Sequence, residues 1–304
     1  MQPPLVALRR VLQELDNDPS LIEPHRLRRR LEAMDRLEAY LAGPAQSTFG
    51  ADPVALSLHR RARTIVANLE AVNLDLYDAI RREIQHGTQP EAFLQSMSDR
   101  PQTAETARPA NIMGYDYLDD LIAGVLQLEE PAAPTIPTQP EIVPYQPTPA
   151  RHIFHLLDLT ALTASDVLVD LGSGLGHVPL LTSVCTPARG IGIELEPAYV
   201  ARARQCAHRL NLSRAKFLNQ DVRETAGWST ALRTGTVFYL YTPFTGSILR
   251  HALNLLQREA ATRPIRICTY GPCTPIVAAE PWLEATSPPQ PDRIALFLPR
   301  TSIA

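Results

Sequence analysis

Apolar positions in the first 128 residues recur at steps of three and four. Leu5, Leu8, Val11, Leu12 and Leu15 share one helical face, and Leu27, Leu31, Met34 and Leu41 share another. The longest series is Leu58, Ala62, Ile65, Leu69, Val72, Leu76, Ile80 and Ile84. Asp52 and Pro53 open that helix as cap and first-turn proline, and Gly87 is placed to end it. A shorter helix is expected over residues 90–97. Another is expected over 115–128, with Leu118, Leu121, Ile122 and Val125 inward. Amphipathic helices, none apolar all round, predict a bundle over residues 1–128. Within it, "RLRRR" at Arg26 to Arg30 is offset by nearby acids and reads as a solvated helix face.

The texture changes at Glu129. Pro131, Pro134, Pro137, Pro140, Pro144, Pro147 and Pro149 forbid helix and favour an extended, stiff strap, so residues 129–150 read as a linker. After it, strands alternate with helices. Strands are expected at 167–171, 190–194, 215–219, 236–241 and 265–270, with helices at 177–186, 197–210 and 247–259. Segments 282–285 and 294–298 would close the sheet as an antiparallel pair. This pattern predicts an α/β fold over 151–304: a doubly wound, seven-stranded, mostly parallel, Rossmann-like sheet carrying an N-terminal all-α domain.

Composition narrows the function classes. The chain has 304 residues, 45% hydrophobic and 20% charged, with formal net charge −3, and Lys216 is its only lysine. That balance is ordinary for a soluble globular chain and lacks the basic footprint of a nucleic-acid binder. "MQPPLVALRR" has no signal-peptide layout, and no apolar run is long enough to span a bilayer, so a cytoplasmic protein without a membrane partner is expected. Cys185, Cys206, Cys268 and Cys273 show no paired metal spacing and read as buried reduced thiols, with no metal site.

The chemistry concentrates in "VLVDLGSGLGHVPLL", residues 167–181. Ligands bind at the carboxyl ends of such strands, and glycine lets them touch backbone. Gly172, Gly174 and Gly176 are spaced G-x-G-x-G, and His177 stands where a dinucleotide fingerprint wants glycine. Asp170, just before the glycines, would repel a pyrophosphate but suits an ammonium. Glu194, ending the second strand, is placed to accept ribose hydroxyls. Asp221 after the third strand can accept from an adenine amino group, with the Val222 backbone beside the ring. A cationic, phosphate-free nucleoside fits all four positions, and S-adenosyl-L-methionine is one.

"DLGSGLGHV", "GIELEP" and "NQDVR" resemble the successive cofactor motifs of class I S-adenosylmethionine-dependent methyltransferases, over roughly residue 145 to the end. "DLGSGLG" looks especially like the turn of the non-SET histone-lysine methyltransferases. "YQPTP", Tyr145 to Pro149, resembles a segment of small class I protein-lysine methyltransferases. The resemblance implies cofactor contacts from Asp170, Gly172, Ser173, Gly174, Gly176, Glu194, Asp221, Val222 and Thr148. It places Tyr145 and Thr148 over the cofactor. Amino-methylating relatives carry a polar residue, prolines and an aromatic after the fourth strand. Here Pro243 and Phe244 match the end of that motif, and Tyr241 or Thr242 fills its polar slot.

The residues expected around the transferred methyl are therefore Tyr241, Thr242, Phe244 and Tyr145. Core packing is an equal alternative for Tyr241 and Phe244. His152 and His155 are weaker base candidates; with His177 they read as packed or solvated histidines. "YGPC", Tyr270 to Cys273, reads as a structural turn. The expectation is a methyltransferase whose acceptor is a protein amine, lysine first by resemblance. The alternatives are a small molecule methylated at oxygen or nitrogen and a non-catalytic cofactor-binding scaffold or sensor. The helical half and the strap are expected to cover the pocket and choose the substrate, and the helical half is a candidate surface for pairing two copies.

Overall fold

The computed structural model describes residues 3–42, 52–87, 93, 114–132, 135–137 and 139–300. They form two compact units, one built from the chain up to Glu83 with 90–125, the other from 84–89 and the chain from Leu126 onward.

The first unit is helical. It holds α1 (Pro3–Asp16), α2 (Leu27–Leu41), α3 (Pro53–Gln85) and α4 (Tyr117–Leu126). Leu8, Leu12, Leu37, Ala62 and Leu69 meet in one core, so the three-and-four spacing of the apolar residues is buried as expected. The Asp52 side chain and carbonyl accept from the amides of Val54 and Leu56, which caps α3. Gly87, at φ +70°, closes its other end. The helix expected over 90–97 lies outside the described residues, apart from the buried Phe93.

The reading of Arg26 to Arg30 as a solvated face is corrected at Arg30, which is fully buried. Two 3₁₀ turns, Pro19–Ile22 and Pro24–Arg26, carry the chain from α1 to α2 and turn carbonyls inward. The Arg30 guanidinium donates to the carbonyls of Leu21 (3.2 Å), Glu23 and Pro24 (2.9 Å) and to Asn73 Oδ1 (2.6 Å). Its planar fork satisfies several acceptors at once, a geometry lysine lacks. Arg30→Ala strands those acceptors, and it is expected to cost the unit about 3 kcal/mol in a urea titration. Arg30→Lys should recover only part of the loss.

The second unit contains α5 (Ala150–Thr160), β1 (Val167–Leu171), α6 (His177–Cys185), β2 (Arg189–Glu194), α7 (Pro197–Arg209) and β3 (Ala215–Asn219). It continues through α8 (Thr225–Thr234), β4 (Val237–Tyr241), α9 (Gly246–Ala260), β5 (Arg266–Tyr270), α10 (Thr274–Ala278), β6 (Leu283–Ala285) and β7 (Ala295–Pro299). The sheet order is β3-β2-β1-β4-β5-β7-β6, parallel through β5 and antiparallel at β7. This is the seven-stranded, doubly wound fold expected. Strand limits agree with the sequence to within one residue. The helices α8 and α10 were not foreseen. In α8, Gly227 and four threonine or serine residues mask the face that buries Trp228, Ala231 and Leu232. The four cysteines are free, and burial pushes the thiols of Cys185 and Cys268 up to about 12.

The strap was expected both as a linker and as a cover for the pocket, and its contacts are those of a cover. It is no spacer but part of the second unit, held at two points by carboxylates. Glu196, at the cap of α7, accepts from the amides of Thr135 (2.8 Å) and Ile136 (3.0 Å). Glu141 reaches the start of α9, accepting from Ser247 N (3.0 Å), Ser247 Oγ (2.7 Å) and Ile248 N (3.2 Å). It thereby supplies the cap that Thr245 does not. Ile142 pairs with Phe244, and the Val143 amide donates to the Pro243 carbonyl at 3.1 Å. The strap thus lies across the carboxyl ends of the parallel strands.

Candidate active site

Strand order reverses between β1 and β4, because the chain runs outward from β1 to β3 and returns at β4. A crevice opens at such a point. Here it is a cavity of about 510 Å³, a size suited to a small-molecule ligand. Residues of β1, β2 and β4, the loops after them and the strap line it.

Its floor is the glycine turn. Gly172, Gly174 and Gly176 have φ of +80°, +52° and +84°, all in the left-handed region. The amides of Gly172 and Ser173 donate to the Ile193 carbonyl at 2.8 and 3.0 Å, tying the turn to β2. A Cβ on Gly172 would stand 2.2 Å from Pro243 Cβ, and one on Gly174 2.1 Å from the Tyr145 ring. The turn is bare because two other segments rest on it. Ser173 lines the cavity, and its Oγ is buried with no hydrogen-bond partner among the described residues.

The acids stand around this floor. Asp170 is 4% exposed and takes no hydrogen bond from any described residue. Burial, with Glu194 adding like-charge repulsion, raises its carboxyl well above the usual range. Glu194 accepts from Gly174 N and Glu196 N, both at 2.8 Å. Burial still raises it, against those hydrogen bonds. Asp221 is held by Arg223, whose Nη2 lies 2.6 Å from Oδ2, and the same guanidinium keeps its carboxyl below the usual range. The Val222 carbonyl accepts from Trp228 Nε1 at 3.1 Å, and its side chain lines the cavity. Glu130 and Glu196 complete a lining with five acids and, among the described residues, no arginine or lysine.

The strap and the β4 loop bring in the rest. Tyr145 packs on Gly174, tilts against Tyr199 with ring centroids 4.9 Å apart, and sets its hydroxyl 3.4 Å from His177 Nδ1. Thr148 Oγ1 lies 3.0 Å from the Tyr239 hydroxyl. Tyr241 lines the cavity and tilts against Tyr270 at 4.6 Å. Phe244 is both cavity lining and part of the core, so its two readings coincide. Thr242 takes φ +41°; its hydroxyl donates to the Tyr270 carbonyl (3.2 Å) and accepts from Cys273 N (3.0 Å). That pair of bonds docks "YGPC" onto the β4 loop and brings Pro272 to the rim.

His152 and His155 do not line the cavity. His152 is buried against Tyr270, and burial, then Arg151, brings it down to about 4. His155 is exposed. Burial likewise holds His177 at about 4, so its ring is neutral beside Tyr145. Sequence reading missed Tyr239, Tyr199, Glu196 and Glu141. Tyr239 alone had a usable signal: it sits two residues before Tyr241, on the same face of a strand.

Among the described residues no cluster of histidine, cysteine, aspartate or glutamate could hold a metal ion. No described helix is long and apolar enough to cross a membrane.

No protein-family model and no curated protein matches the chain. Solved structures do. An RNA methyltransferase from Salinibacter ruber, in complex with S-adenosyl-L-homocysteine, is 21% identical over 52% of this chain and 97% of its own, with a TM-score of 0.39. TrmN from Thermus thermophilus is 18% identical over 49% of this chain and 48% of its own, at 0.36. Precorrin 8w decarboxylase from Methanobacterium thermoautotrophicum is 16% identical over 52% and 93%, at 0.38. At this level the likeness says nothing about activity or substrate.

Proposed function

We propose that the chain is an S-adenosylmethionine-dependent methyltransferase whose acceptor is a protein amine, lysine foremost. One observation carries the cofactor: a buried carboxylate, Asp170, with no hydrogen-bond partner among the described residues, beside a bare turn in a cavity lined by five acids and, among the described residues, by no arginine or lysine. Such a lining repels phosphates and draws a cation. Asp170 takes the ammonium, Glu194 the ribose hydroxyls, and the Gly172–Gly176 turn, with Ser173 Oγ, the backbone-proximal contacts. Val222 packs on the ring and Asp221 accepts from its amino group, sharing its oxygens with Arg223.

When bound, the cofactor supplies a methyl already activated by the sulfonium, so the chain's residues have to position the acceptor and exclude water. Tyr145 and Thr148, on the strap, cover the pocket. The wall formed by Tyr241, Pro243, Phe244 and Pro272 contains no carboxylate. An ammonium approaching it is desolvated, which lowers its pKa, so it gives its proton to solvent at the pocket mouth and its lone pair is free for attack. Tyr241 holds the nucleophile, and the face of Phe244 stabilises the cationic product. Thr242 serves as the brace between the β4 and β5 loops.

The strap over the cavity favours a second reading, a small aromatic or amine acceptor enclosed beneath it. Calorimetry with S-adenosylmethionine, followed by radiolabelled methyl transfer into a lysate resolved by size, separates the two. Label is expected in a protein band. Label only in small molecules would overturn the acceptor, and binding without label would leave a sensor.

A further inference from the structure

Tyr239 has no task in the reading above, yet it is the most deeply buried tyrosine of the cavity, 1% exposed. Burying a phenol costs free energy that phenylalanine would avoid, unless the hydroxyl is used. β1 and β4 are parallel neighbours, and their register sets Tyr239 opposite Asp170. The two side chains therefore leave the sheet on the same side, and both line the cavity. The Tyr239 hydroxyl has a partner in Thr148 Oγ1 at 3.0 Å, whereas Asp170 has none among the described residues. Burial raises the Tyr239 phenol well above its ordinary value, so it stays protonated. A phenol has one proton and two lone pairs; whichever hydroxyl donates in the Thr148 bond, at least one lone pair remains for the cavity.

An ammonium carries three donors, more than one carboxylate oxygen can meet. We propose that Tyr239, oriented by Thr148, is a specificity-determining residue that joins Asp170 in receiving the ammonium of the cofactor's amino-acid arm. The proposal rests on the S-adenosylmethionine reading. Asp170 supplies the charge and Tyr239 a second acceptor. Tyr239 thereby selects nucleosides that carry the arm over those cut off at sulfur. Because Thr148 sits at the end of the strap, the same hydrogen bond ties strap position to this subsite.

The test is calorimetric binding of three ligands to the full chain: S-adenosylhomocysteine, decarboxylated S-adenosylmethionine, which keeps the ammonium but lacks the carboxylate, and 5′-methylthioadenosine, which lacks both. Tyr239→Phe is expected to weaken the first two about tenfold or more and to leave the third within about twofold. Thr148→Val should show the same pattern with a smaller loss, and it carries the test if the Phe variant does not fold. Equal weakening of all three ligands would make Tyr239 a structural prop and overturn the proposal. So would no weakening, or a loss confined to the ligand with a carboxylate. If the native chain bound none of the three, the cofactor reading itself would fall, a result distinct from any of these.

Discussion

Asp170→Asn is expected to raise the melting temperature of the ligand-free chain while removing S-adenosylmethionine binding. The side chain is buried with no hydrogen-bond partner among the described residues, and Glu194 stands near enough to oppose its charge. Its carboxyl is raised in the folded chain, so between the ordinary aspartate range and the raised value the folded state holds a proton that the unfolded state has lost. Stability therefore falls as pH rises through that window and levels off above it. Asparagine has the same shape and no charge. At neutral pH it relieves an unpaired buried group worth about 1–3 kcal/mol, or a few degrees of melting temperature. Binding goes the other way. Removing one partner of a desolvated charge pair costs about 2–5 kcal/mol, so affinity should drop at least about thirtyfold. The ligand-induced gain in melting temperature should grow with pH in the native chain and vanish in the variant. Melting curves from pH 5 to 9, with and without S-adenosylmethionine, read both effects. An Asn variant that melts lower or binds as well as the native chain would remove Asp170 from the cofactor site.

That opposition between stability and binding was partly legible before the structure. "VLVDL" reads as a central strand because a run buried on both faces is apolar throughout, and one acid within it stands out. Local pattern reached the turn, Asp170, Glu194 and the sheet for the same reason: each is written in adjacent residues. It did not reach contacts made across the chain. Glu141 and Glu196 look like ordinary surface acids, and only the fold shows them bonded to helix starts and strap amides. Proline density predicted an extended strap, and the resemblance of "YQPTP" put its end over the pocket, but neither could show the carboxylates that hold it. Arg30 is one of four arginines in "RLRRR", and only the inward carbonyls of the preceding turns distinguish it. Tyr239 had only its spacing from Tyr241 to mark it, since an aromatic in an apolar strand otherwise reads as core. The pairing of β1 with β4, a long-range fact, is what sets it beside Asp170.

Gly172→Ala is the second large effect, and its size depends on what lies over the turn. Two costs add. At φ +80° an alanine is strained by about 1 kcal/mol. Its Cβ would also sit 2.2 Å from Pro243 Cβ and 3.5 Å from Pro243 Cα, so a rigid ring and its backbone would have to move. Pro243 cannot move alone, because its carbonyl holds the Val143 amide and Phe244 pairs with Ile142. The strap moves with it, or the turn gives up the bonds of Gly172 and Ser173 to the Ile193 carbonyl. Overpacking of this kind adds about 1–3 kcal/mol, for a total of roughly 2–4 kcal/mol. Both escapes deform the cofactor floor, so S-adenosylmethionine affinity should fall by about tenfold or more. Gly87→Ala is the control. It has φ +70° but nothing within 4 Å of the new Cβ, so only the strain of about 1 kcal/mol applies. Urea titrations of the two variants thus isolate the packing of Pro243 on the turn. Equal losses would mean that Pro243 yields freely, and the bare glycine at 172 would then serve the ligand alone rather than the junction of strap, turn and β4 loop.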